Sequence, residues 1–349
     1  MKTKNAAVLG ATGTVGQKFI RLLENHPQFK LTEVVASERS GGKKYVEAVR
    51  WMEDTPIPKA VRDLEVKNDT YDLDADVCFS ALPGGKAEVA ERELAKRGYG
   101  VFTNARDLRM APDVPLVIAE VNPDHLDLID KQKKAAKSDG FVVANGNCTA
   151  IVLTMALKPL LDDFGLKHVS VTSMQAISGA GYPGVASLDI TENIIPYIGG
   201  GEEEKMETEP RKFLGTLRNG AVEPADFALS VTCTRVPVVE GHTEAVHVSF
   251  RKKATVAEVV ESFRSFRGKP QSLKLPSAPE HAIVVRDEVD RPQPRKDRSA
   301  GNYMSVVVGR VRPDPVFDVK FVCLGSNTVR GAAGGSILNA ELAAKLGHL

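Results

Sequence analysis

The sequence predicts an α/β protein in which a doubly wound, mainly parallel sheet precedes a second, α+β domain built on a largely antiparallel sheet. Three observations carry this expectation. Between residues 5 and 144, short apolar runs alternate with helical patterns, the rhythm of βαβ units. A glycine-rich turn at 10–16 follows the first run and opens an amphipathic helix. Beyond a long apolar helix at 150–161 the chain changes to long β-rich runs, as antiparallel sheets do. At 349 residues and 42% hydrophobic content the chain is long and apolar enough for two cores.

In order, the first strand is 5–9, followed by Gly10-Ala11-Thr12-Gly13-Thr14-Val15-Gly16 and a helix with Phe19, Ile20, Leu22 and Leu23 on its apolar face. Strand, glycine turn and helix together supply what a pyrophosphate needs: close backbone approach, N–H donors and a helix N-terminus. The spacing is GxxGxxG and not the commoner GxGxxG, but its place after a first strand predicts a Rossmann-like dinucleotide site on Gly10, Thr12, Gly13, Thr14, Val15 and Gly16. The second strand, 31–36, runs into Ser37-Glu38-Arg39-Ser40-Gly41-Gly42-Lys43, where the ribose 2′ position is read. Glu38 would suit NAD. Ser37, Arg39, Ser40 and Lys43 suit a 2′-phosphate, so the expected cofactor is NADP.

Residues 45–71 show no clean period, and Pro56 and Pro58 interrupt them. Strand and helix then alternate again: a strand at 75–82, a helix at 86–97 closed by Gly98, strands at 100–103 and 116–119, a polar helix at 123–137 and a strand at 141–144. Ser80 lies near the carboxyl end of its strand, where ligands of such sheets collect, and is placed among the cofactor contacts. The β-rich runs of the second domain are 166–177, 229–236, 243–251, 303–310 and 316–324, and the region of Pro292 and Pro294 reads as a surface loop. A last helix, 329–346, starts just past Asn327 and contains Gly331, Gly334 and Gly335, which imply tight backbone approach. It is expected to return to the first domain. The chain is thus divided into 1–147 plus 328–349, and 148–327.

A formal net charge of +1 gives no electrostatic footprint for nucleic acid or an acidic membrane surface. The four cysteines are widely spaced without a CxxC pair, fitting neither a disulfide framework nor a metal site; a reducing cytoplasm is the expected compartment. No apolar leader follows the first methionine and no run approaches a membrane span, so a soluble protein is expected.

The chemistry centres on Asn145-Gly146-Asn147-Cys148-Thr149, where the strand at 141–144 hands over to the long helix. A thiol over a helix N-terminus meets unpaired N–H groups and the positive end of the dipole, which lower its pKa from about 8.5 toward neutrality. Cys78 and Cys323, inside apolar runs, read as small buried residues. Cys148, flanked by polar turn residues, reads as an exposed nucleophile. Its partner is sought among few histidines. His242 ends Arg235-Val236-Pro237-Val238-Val239-Glu240-Gly241-His242 at a glycine turn, where catalytic groups are displayed. His247 has the opposite parity on the same strand, while His26, His125, His168, His281 and His348 sit in polar, surface-like contexts. Together Cys148 and His242 would do covalent acyl chemistry. Gln175-Ala176-Ile177-Ser178-Gly179-Ala180-Gly181 would let a flat ring lie against backbone, placing Ser178 and Gly179 with Asn327 near the cofactor. By itself, Glu202-Glu203-Glu204-Lys205 reads as a solvated helix start.

The motifs GATGTVG at 10–16, NGNCT at 145–149, QAISGAGYPG at 175–184, EEEKMETE at 202–209, RVPVVEGH at 235–242 and NTVRGAAGG at 327–335 together resemble the aspartate-β-semialdehyde dehydrogenase family. The archaeal and fungal form looks closest, and the resemblance spans nearly the whole chain. It implies NADPH-dependent reduction of L-4-aspartyl phosphate to L-aspartate 4-semialdehyde and phosphate, on the route to lysine, methionine and threonine, by homodimers or homotetramers. By the same resemblance, Cys148 is the acyl-thioester nucleophile and His242 the acid/base, with Gln175 and Asn147 orienting the substrate. Arg235 would bind the α-carboxylate, Glu202 (or an adjacent glutamate, 203 or 204) the α-amino group, and Lys205 with Arg109 the phosphate. Gly146 stands where many members carry proline. An acyl-CoA reductase such as malonyl-CoA reductase shares the scaffold, and a dinucleotide-sensing regulator without turnover is the non-enzymatic alternative; phosphate-dependent turnover separates both from the first reading.

Overall fold

The computed structural model describes residues 3–68 and 72–349; the first two residues and the end of the aperiodic stretch at Tyr71 lie outside it. Strands β1 (Lys4–Leu9), β2 (Phe29–Ala36), β3 (Val66–Asn68), β4 (Val77–Ser80), β5 (Gly100–Thr103) and β6 (Phe141–Ala144) form one parallel sheet in the order β3-β2-β1-β4-β5-β6. Every residue of β4, β5 and β6 is buried, because parallel sheets are covered on both faces; hence their sequences show apolar runs and no alternation. The run at 116–119 pairs only through a single bridge from Leu116 to Ala144, so the strand expected there is a buried connection. Phe19, Phe29, Phe79, Phe102 and Phe141 contact one another in series under helix α1 (Thr14–Leu23). Each fully buried ring stabilises the fold by about 1.5–3 kcal/mol. Strand order reverses between β1 and β4, which opens a crevice at their carboxyl ends.

Helices α2 (Ala87–Lys96) and α3 (Leu128–Ala136) complete the first lobe, α3 being preceded by a 3-10 turn where a continuous helix was expected. Helix α4 (Cys148–Phe164) is apolar nearly all round and packs on the second sheet. That sheet contains β7 (Leu166–Gln175) and, after helix α5 (Glu202–Phe213) and the hairpin β8 (Thr216–Arg218) with β9 (Ala221–Glu223), strands β10 (Ala228–Arg235) and β11 (His242–Phe250). Helix α6 (Val256–Ser265), β12 (Ile283–Arg286), β13 (Val306–Pro313) and β14 (Val319–Gly325) follow. The order is β10-β7-β11-β14-β13-β12. Its three central pairings are antiparallel and the two outer ones, β10 with β7 and β13 with β12, are parallel. The sheet is therefore mixed, with α5 on the crossover that a parallel β7–β10 pair requires.

Beyond β14 the chain makes a π-helical turn, Val329–Ala333, and then helix α7 (Gly334–Leu346). Ile337, Leu338, Ala340 and Leu342 of α7 join the aromatic core of the first sheet. Arg330 in the π-turn is 1% exposed and meets Glu120 of the first lobe bidentately, at 2.8 and 2.7 Å. The region around Pro292 is less loop-like than expected: Asp297 is buried and accepts from Arg286 Nε and the Gln293 amide. Two histidines also depart from expectation. His125 is fully buried against Asn122, and the shielded His26 ring meets Glu341 at 2.8 Å. Among the described residues no helix is long and apolar enough to cross a membrane.

Candidate active site

The site forms where β6 turns into α4. Asn147 holds extended backbone and caps the helix, its Oδ1 accepting from the amides of Thr149 at 2.9 Å and Ala150 at 3.0 Å. Cys148 is consequently the first helical residue. Its Sγ lies 3.2 Å from Nε2 of His242, the first residue of β11. His242 Nδ1 accepts from the Ala176 amide at 3.0 Å, which assigns the proton of the neutral ring to Nε2, facing the sulfur.

The electrostatics reverse the expected direction for the thiol. Burial, and after it the Glu202 carboxylate, push Cys148 up to about 12, against the smaller lowering influences of Thr149 and Arg109. Burial, then Arg235, pulls His242 down to about 3. Helix position alone suggested a thiolate; desolvation of the recessed sulfur and the neighbouring Glu202 carboxylate favour the protonated thiol instead. Cys78, Cys233 and Cys323 are buried and free.

Gln175 and Arg235 end β7 and β10 and face each other in the parallel register. An antiparallel pairing would have put them at opposite ends of the sheet. Arg235 Nη1 donates to the Ala176 carbonyl at 2.8 Å, while Gln175 Nε2 donates to Glu202 Oε1 at 3.1 Å. That same oxygen accepts from Asn147 Nδ2 at 2.8 Å, and Lys205 Nζ reaches Glu202 Oε2 at 3.2 Å. Glu202 is thus a buried hub and no solvated helix start. Glu203 instead accepts from the Cys233 amide, and Glu204 is exposed. Arg109, 9% exposed, donates to Glu209 at 3.0 Å and to the Asn104 carbonyl at 2.9 Å; its Nε–H is buried without a partner among the described residues, a donor suited to an incoming anion.

These side chains border one cleft of about 850 Å³ that continues to Thr14 and Val15 at the start of α1. Ser178, Gly179 and Asn327 border it too, with Asn327 bridging Ser178 Oγ at 2.8 Å and the Gly241 amide at 2.9 Å. Gly179 packs so closely on Arg235 that a Cβ would lie 2.7 Å from Nη1. The glycine turn suits a dinucleotide pyrophosphate. Gly10 has φ +73°, and a Cβ there would meet the Ala81 carbonyl at 2.5 Å, across the switch point of the sheet. A Cβ on Gly16 would lie 2.2 Å from the Gly10 carbonyl. Gly13 caps α1 without a side-chain acceptor, leaving the first-turn amides to a ligand, and half-buried Thr12 accepts from Gln17 through its carbonyl.

Ser37 and Arg39 are exposed beyond β2, with Ser40 half-buried, in a turn outside the cleft wall. Ser80 does not face the cleft: it is fully buried and its hydroxyl donates to Glu91 at 2.6 Å, because a short central strand turns its last side chain into the core. The sequence reading missed Glu209 and Glu240. Glu240 receives the hydroxyls of Ser326 and Thr328, at 2.9 and 2.5 Å, and so ties the histidine loop to the last segment. The seven-residue spacing of Glu202 and Glu209, two helical turns, was the signal available for the first.

Residues 5–129 match the family described as semialdehyde dehydrogenase, NAD binding domain, and residues 157–330 its dimerisation domain. The aspartate-semialdehyde dehydrogenase of Archaeoglobus fulgidus is 55% identical over 98% of each chain. The chain belongs to the aspartate-semialdehyde dehydrogenase family. A crystal structure of a family member from Candida albicans, described with NADP, superimposes with a TM-score of 0.91 at 40% identity, covering 98% of this chain and 99% of that one. A malonyl-CoA reductase (NADP) from Metallosphaera sedula is 43% identical over 100% of this chain and 99% of its own, so the scaffold serves a second acyl substrate.

Proposed function

We propose that this protein catalyses NADPH-dependent reductive dephosphorylation of L-4-aspartyl phosphate to L-aspartate 4-semialdehyde through an acyl-thioester on Cys148. The observation that carries the reading is the 3.2 Å approach of Sγ to His242 Nε2 at a helix start, facing a cleft whose cationic side chains include Arg109, Lys205 and Arg235. Gly10 to Gly16 and the start of α1 would hold the pyrophosphate, with Ser37, Arg39 and Ser40 at the 2′-phosphate. When bound, the dinucleotide supplies the hydride.

The chain's own residues do the rest. Cys148 attacks the acyl carbon, an S–C bond forms and the C–O bond to phosphate breaks, the thiol proton passing to the departing phosphate, which leaves toward Lys205 and Arg109. The backbone amide of Cys148 at the start of α4, which neither the Asn147 cap nor Glu209 takes, stabilises the oxygen of the tetrahedral species. Arg235 takes the α-carboxylate by its remaining donors and Glu202 the α-ammonium, while Gln175 and Asn147 fix the acyl group over the sulfur. His242, with Nε2–H on the sulfur, gives that proton to the oxygen as the thiohemiacetal forms and takes it back as the carbonyl is restored, the C–S bond breaking to release a thiolate that the Nε2–H stabilises. The compact ionic pocket favours an amino acid over a CoA thioester. In a steady-state assay with aspartate semialdehyde, NADP reduction that requires phosphate, exceeds that with NAD, and is matched by no oxidation of NADPH with malonyl-CoA is expected. The reverse substrate pattern would overturn the assignment.

We further propose that the division of the chain falls at 147/148 and again at 327/328, and that the protein is a cytoplasmic homo-oligomer, dimer or tetramer. A hydroxyl-rich sheet face supports the oligomer: Thr172 pairs with Thr232, and both are exposed beside Ser230.

A further inference from the structure

Glu209 is 2% exposed, has no place in the chemistry above, and stands between two groups that chemistry needs. Its Oε1 accepts from Arg109 Nη1 at 3.0 Å and its Oε2 from the backbone amide of Asn147 at 2.5 Å. Asn147 caps the helix that begins at Cys148, and Arg109 comes from the other lobe. One turn further along α5, Lys212 donates through Nζ to the carbonyls of Arg109 at 2.7 Å, Ala111 at 2.9 Å and Val114 at 3.2 Å. Positions 202, 205, 209 and 212 follow the i, i+3, i+7, i+10 pattern of one helix face. The first two serve the cleft, and the second two grip the turn that presents Arg109.

We infer that Glu209 is a positioning residue, holding the guanidinium of Arg109 and the backbone of the nucleophile's turn at one separation so that phosphate meets donors already aimed. The inference rests on the reading of Arg109 as a phosphate ligand. A carboxylate on Nη1 also cancels part of the charge that attracts phosphate, so two effects of opposite sign compete on its removal. Arg109 has two further anchors, and one of them, Asn104, also accepts from Asn145 of the same turn at 2.9 Å; Glu209 differs in meeting both the guanidinium and the amide next to the nucleophile directly. Misplacing a reacting group by about 1 Å costs on the order of 10²-fold, more than one screened charge contributes, so alignment decides the sign.

The test uses the full chain with aspartate semialdehyde, varying inorganic phosphate at saturating NADP. Glu209→Ala is expected to raise KM for phosphate by about tenfold or more, with KM for NADP within about twofold. Glu209→Gln, which keeps one acceptor oxygen for two donors, should fall between. An unchanged or lowered phosphate KM in Glu209→Ala overturns the inference, as does a parallel rise in both KM values, which a loss of general structure produces. If Glu209→Ala does not fold, Glu209→Gln decides by the same criteria. Arg109→Ala separates the two levels: an unchanged phosphate KM there removes the reading of Arg109 itself, whereas a raised one beside an unaffected Glu209→Ala removes only the role given to Glu209.

Discussion

Burial and the Glu202 carboxylate act together to keep the proton on Cys148, and the neutral ring beside it is held by the Ala176 amide. A thiol whose pKa lies above the working range reacts faster at every step upward in pH, about tenfold per unit until it ionises. Removing the nearby negative charge lowers that pKa, so Glu202→Gln, which keeps an acceptor for Asn147 and Gln175, is expected to shift the curve of iodoacetamide alkylation against pH to lower pH. At pH 8 the variant should react several-fold faster than the parent. An unshifted curve would remove Glu202 as a cause. On the proposed reading of Glu202, a substrate ammonium seated there would act in the same direction and couple thiol activation to occupancy of the amino-acid site. At this scale much was legible: Cys148 and His242 stood in turn-forming contexts that pointed to them. Glu209 was not, because its partners lie about 60 and 100 positions away and helix periodicity alone cannot say what a face will meet.

The elements add constraints that single residues do not show. The π-turn Val329–Ala333 brings Gly331 so close to the start of α4 that an added Cβ would lie 2.6 Å from the Cβ of Cys148. Gly331→Ala must therefore displace either the turn or the first residue of α4. A kcat lower by roughly 10²-fold is expected, with thermal melting showing a folded protein. A kcat within twofold of the parent would mean that the turn yields without moving the sulfur. Early glycines in the last helical pattern announced a tight approach, but periodicity could not distinguish a π-turn from an α-helix start, since both leave the same apolar spacing. The β8–β9 hairpin had a local signature, Asn219-Gly220, both with positive φ. The run at 116–119 looked like a strand because burial on all sides and central-strand burial select the same residues.

At the scale of the molecule, α5 and the last segment join the lobes. Glu209 and Lys212 reach from α5, beside the second sheet, to the Arg109 turn, while Arg330 reaches back to Glu120. The exposed hydroxyl face over β7 and β10 is more polar than a solvent-shielded core, and it lies in the segment matching a dimerisation domain. Sedimentation equilibrium at micromolar concentration is expected to give a mass of twice or four times 37.7 kDa. A species at the single-chain mass throughout would remove the oligomer.

The order of most elements, the glycine turn after the first strand, the cysteine at a helix start and the family were readable along the chain. Each depends on short-range facts: apolar period, glycine where backbone must pass close, and polar residues at a helix start. What only the tertiary structure decided are the parallel outer pairings that set Gln175 beside Arg235, the choice of Glu202 over its neighbours, the burial of Ser80, and the neutral resting state of the thiol. These depend on desolvation and on partners distant in sequence, energies that arise only when segments pack and water leaves.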